Sequence, residues 1–90
     1  NAKVLSFLKT IPGNASVAAT NNLGAHLSHR RYLFTIPVGV DDAEYVLFLL
    51  NDPFAQPSPE KQREMLDTLL ETKKYELLYT IDDFYALRKI

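Results

Sequence analysis

The sequence predicts an α/β fold, a small three-layer domain whose sheet is mostly parallel and closes in a C-terminal antiparallel hairpin. Three observations carry that prediction. Tyr45-Val46-Leu47-Phe48-Leu49-Leu50 is a continuous apolar run of the kind buried on both faces of a parallel sheet. Ile11 to Pro37 compresses a turn, a small-residue strand, a capped helical segment and a second strand into one stretch, and such a strand, helix, strand succession normally makes a parallel crossover. Tyr75 to Ile81 and Phe84 to Ile90 are two β-prone runs separated by Asp82-Asp83, the length of a two-residue hairpin loop.

Ninety residues make one domain, and a chain of that size buries roughly two-thirds of its unfolded surface. With 47% apolar and 23% charged residues the composition is that of a chain that folds. The formal charge of -1 supplies no global field to attract nucleic acid, so no nucleic-acid partner is expected and any electrostatic role must be local. The absence of cysteine removes disulfides, thiolate nucleophiles and cysteine zinc sites, and leaves the compartment open. The apolar runs, about six residues at their longest, fall far short of the roughly 20 needed to cross a bilayer. Asn1-Ala2 reads as the remnant of a cleaved tag, which makes residues 3–90 a single soluble domain excised from a larger protein.

The first element is a short helix, because Val4, Leu5, Leu8 and Ile11 fall on one face, and it ends at Pro12-Gly13. Ala15 to Thr20 holds only small residues through Ala19 and is expected as the first strand, covered closely on both faces. Thr20, Asn21 and Asn22 can each cap a helix, which Leu23 and Leu27 extend to His29. Tyr32 to Ile36, β-branched and aromatic, forms the second strand and stops at Pro37. Tyr45 to Leu50 is the third, and the proline-rich stretch from Asn51 to Pro59 is a loop. Ser58 then caps a third helix with Pro59 at its first position, running to about Thr72 with Met65, Leu66, Leu69 and Leu70 as its stripe. With strand one between two and three and the hairpin extending beyond three, the expected fold is a Rossmann-like sheet of order 2-1-3-4-5.

The polar residues that look selected lie between Thr20 and Arg31. His26 and His29 are three apart, a spacing two imidazoles can use on one metal, but no third ligand is near and no metal site is expected. Arg30 and Arg31 form the basic cluster beside them, and Thr20, Asn21 and Asn22 stand where a strand's carboxyl end meets a helix N-terminus, a natural anion position. These seven residues are the expected ligand or docking face. The plainer reading makes the asparagines caps and pairs the arginines with acids. No nucleophile elbow or phosphate loop is present, the Asp41-Asp42 and Asp82-Asp83 pairs sit in turns, and neither catalytic residue nor cofactor is expected. Asn14-Ala15-Ser16 matches a glycosylation sequon, a pattern too short to carry weight.

The blocks IPGNASVAATNNLGAHLSHRRYLFTIP, EYVLFLLND and YELLYTIDDFYALRK follow one another in an order that resembles the soluble C-terminal portion of a bacterial and archaeal family of predicted multi-pass membrane proteins of unknown function. The resemblance covers nearly the whole chain, and Ala15 to Arg30 is its most specific block. That family looks distantly related to the C-fold integral-membrane glycosyltransferases, which use polyprenyl-phosphate sugars. The resemblance implies a cell-membrane parent whose catalytic loop lies in its membrane part, with this domain on the extracytoplasmic face as a non-catalytic docking or support module. Its implied partners are the parent's own membrane domain and a polyprenyl-phosphate sugar or other phosphate-bearing ligand. The alternative is a small free-standing α/β enzyme or regulatory binding domain, which a gene starting near Lys3 would favour.

Overall fold

A computed structural model of the chain describes residues 2–24, 26, 27, 30, 32–50 and 57–90. Its elements are α1 (Ala2–Leu8), β1 (Val17–Ala19), α2 (Asn21–Gly24), β2 (Leu33–Thr35), β3 (Tyr45–Leu49), α3 (Pro59–Glu71), β4 (Tyr75–Ile81) and β5 (Phe84–Lys89). The five strands form one sheet in the order β2-β1-β3-β5-β4. β1 lies between β2 and β3, parallel to both, as expected.

The far side of the sheet differs from the expected order 2-1-3-4-5. β5, not β4, lies beside β3, and both the β3 to β5 and the β5 to β4 pairings are antiparallel, so the sheet is mixed rather than mostly parallel. Burial explains the exchange. Phe84, Ala86 and Leu87 of β5 are wholly buried, whereas Glu76, Leu77 and Leu78 of β4 are exposed. The strand whose middle is buried on both faces takes the interior position, and the one whose middle stays exposed takes the edge. Helix α3 therefore carries the chain past one strand width, and the returning hairpin strand fills the gap, a split crossover.

Alternation along the strands sends side chains to two cores. On one face Val4 and Leu8 of α1 pack with Val17, Ala19, Tyr45, Leu47, Phe84 and Ala86. On the other Leu66 and Leu69 of α3 pack with Ala18, Val46, Phe48, Tyr75 and Leu87. The alanines of β1 admit close cover from both sides, which is what a strand of small residues is suited to. Gln62 shares the buried stripe of α3, where its Oε1 accepts from Leu49 N at 3.2 Å and its Nε2 donates to the Pro57 carbonyl at 2.8 Å. It thereby ties the helix to the end of β3.

The segment after β1 is also less regular than its leucine spacing suggests. α2 is a single turn of four residues, and His26 and Leu27 beyond it lie in turns; the part of the expected helix at Ala25, Ser28 and His29 lies outside the described residues. Leu23 and Leu27 are both buried, but His26 N donates to Leu23 O and Arg30 N to Leu27 O, three-residue turns that do not propagate an α-helix. Packing two leucines under a short connection is satisfied by successive turns. The expected loop at 51–56 lies outside the described residues.

Candidate functional site

Of the seven residues of the expected docking face, the surroundings of Thr20, Asn21, His26 and Arg30 are described. Thr20 follows β1 and is wholly buried, with its carbonyl accepting from Leu23 N at 3.0 Å. Asn21 is exposed at the start of α2, and Asn22 follows it in the same turn. A one-turn helix sums too few peptide dipoles to make the anion position that the sequence suggests. His26 is exposed and Arg30 is half-buried. His29 and Arg31 lie outside the described residues.

Arg30 does not project freely. Its Nη1 donates to the Pro12 carbonyl and its Nη2 to the Ile11 carbonyl, each at 2.7 Å, so the guanidinium clamps the turn that follows α1. Its Nε is buried and has no hydrogen-bond partner among the described residues. Among the described residues that line the space before it there is no carboxylate. A half-buried cation held by two carbonyls presents its charge toward whatever lies in front of it.

What lies in front is a groove of about 620 Å³ between α1 and the residues His26, Leu27 and Arg30. Leu5, Leu8, Ile11 and Leu27 form its apolar floor, Gly13 opens one end, and Lys9, His26 and Arg30 supply its polar atoms. Of the seven expected face residues, the groove gathers His26 and Arg30, and neither Thr20 nor Asn21 lines it. Lys9 and Leu5 are the additions that sequence reading missed. Leu5 sits on α1 and Lys9 just beyond its end, far along the chain from the cluster; the sequence sets Leu5 on the apolar face of its helix, and the structure leaves it 38% exposed at the groove. An apolar floor with cations at its rim and no acid among its described lining residues can hold an anion attached to a hydrocarbon body.

A second polar centre lies on the α3 side. The Tyr75 hydroxyl donates a short hydrogen bond to the Ala43 carbonyl, beneath the turn bearing Asp41 and Asp42. Burial pushes the phenol up to about 12, and the two aspartates add to the shift. The geometry is that of a core hydrogen bond under a loop.

No curated protein and no solved structure matches the chain. No described helix is long and apolar enough to cross a membrane. A family model matches residues 2–85, nearly the whole length, and by that match the chain belongs to the family described as predicted membrane protein (DUF2079).

Proposed function

We propose that this domain is a non-catalytic accessory module of a multi-pass membrane protein, placed on the extracytoplasmic face, whose groove between α1 and His26, Leu27 and Arg30 docks a phosphate-bearing ligand. The observation that carries the reading is the convergence of Lys9, His26 and Arg30 over an apolar floor with no described carboxylate among the lining residues. A likeness of the family to C-fold membrane glycosyltransferases would make the ligand a polyprenyl-phosphate sugar, whose phosphate suits the rim and whose prenyl chain suits the floor. The exposed Leu5 favours a second reading, in which a segment of the parent's membrane domain occupies the same groove.

Titration of the chain with pyrophosphate and with a short prenyl phosphate, followed by amide chemical shifts, tests the first reading. Shifts should concentrate on Leu5, Lys9, His26 and Arg30. Lys9→Gln should weaken binding roughly two- to fivefold, as expected of about 0.5–1 kcal/mol from one exposed ion pair, while leaving the melting temperature unchanged. Neither ligand shifting these residues, or equal affinity in Lys9→Gln, would remove the phosphate reading.

A further inference from the structure

The edge of the sheet carries a feature that the groove does not use. β4 is seven residues long and, among the described residues, has a strand neighbour on one side only, β5. Its middle is apolar and open to solvent, with Leu77 46% and Leu78 44% exposed. An edge of this length with unpaired backbone groups and outward leucines is a template for a further strand. Its ends are charged in opposite senses: Lys73-Lys74 precede the strand and Asp82-Asp83 follow it.

We infer that β4 is a self-association edge, pairing antiparallel with β4 of a second copy of this chain across a two-fold axis near Leu78. In that orientation the basic end of each strand, Lys73-Lys74, lies beside the acidic end, Asp82-Asp83, of the second copy. A parallel pairing would set lysine against lysine and aspartate against aspartate, so the charges select one direction. The leucines then cover one another at the centre. β4 also leaves the ladder cleanly at each end, since Lys73 and Asp82 both adopt left-handed backbone, with φ of 57° and 51°. The register shift between Leu77 and Tyr79 works against a perfectly flat edge, and Leu77 and Leu78 are both exposed beside it. Self-pairing through a sheet edge would join two copies of the parent protein without involving the groove.

Sedimentation equilibrium on the chain tests this. The mass should rise from one chain toward two with concentration, and the association should weaken with added salt. Leu78→Lys should abolish it while keeping the wild-type melting temperature, because the side chain is exposed. Two charge variants, Lys73→Asp/Lys74→Asp and Asp82→Lys/Asp83→Lys, give a strand with acidic ends and one with basic ends. Each should be monomeric alone, and an equimolar mixture should recover the dimer. A chain that stays monomeric at every attainable concentration overturns the inference. So does a dimer that survives Leu78→Lys, or a mixture of charge variants that associates no better than either component.

Discussion

Tyr75 shows how one side chain can join two distant parts of the chain. It is 2% exposed, packs with the α3 face of the sheet and closes a hydrogen bond to Ala43 on the turn before β3. Its phenol, raised from an ordinary 10 to about 12, holds its proton more tightly in the folded chain than in the unfolded one. The stability tied to that proton is therefore complete below pH 10 and falls away as the pH rises from 10 through 12. Tyr75→Phe should cost about 1 kcal/mol at neutral pH by orphaning the Ala43 carbonyl, and should lose less stability than the parent between pH 10 and 12. Urea denaturation at pH 7, 10 and 11.5 reads both effects, and parallel declines in parent and variant would disprove the linkage. Gln62 is a residue the sequence disguised: it lies on the stripe of Leu66 and Leu69, where an apolar residue is expected, and it is accepted there only because both ends of its amide are bonded.

Among the elements, α3 is the one whose boundaries are written locally. Ser58 has extended backbone and accepts from Lys61 N at 3.4 Å, Pro59 occupies the first helical position, and Glu60 adds negative charge in the first turn. The helix stops at Thr72, whose hydroxyl donates to the Thr68 carbonyl, and Lys73 then turns left-handed. Ser58→Ala should cost about 0.5–1 kcal/mol, the low end for a cap because its bond is long, and differential scanning calorimetry should show a correspondingly small drop in melting temperature. A drop of many degrees would mean that Ser58 does more than cap. α2 is the contrast. Its leucine spacing is helical, but Leu23 and Leu27 are buried by a chain of turns, so the period alone misjudged its length.

At the scale of the whole molecule, stability rests on the row Ala19, Leu47, Ala86, paired across β1, β3 and β5 on the α1 face. Leu47 is fully buried between two alanines, neither of which can grow into the space it fills. Leu47→Ala should therefore cost about 2–5 kcal/mol, a large share of the roughly 5–13 kcal/mol expected for a chain of this size. The urea midpoint measures it, and an unchanged midpoint would show the core to be elsewhere. The same scale decides the candidate site. Lys9 meets Arg30 only because the chain reverses after Ile11 and the guanidinium holds that reversal through the Ile11 and Pro12 carbonyls.

By itself the sequence determined what short-range chemistry encodes: the buried run of β3, the cap and first turn of α3, the two-residue link between β4 and β5, and the sharing of small residues that puts β1 between two layers. It also placed His26 and Arg30 in a polar cluster. Tertiary structure decided the order of the hairpin strands, because β4 and β5 have similar propensities and only burial on both faces sends Phe84, Ala86 and Leu87 inside. It decided the groove for the same reason. Lys9 and Leu5 join His26 and Arg30 through packing of α1 on the sheet, and a contact between segments so far apart along the chain has no local signature in either.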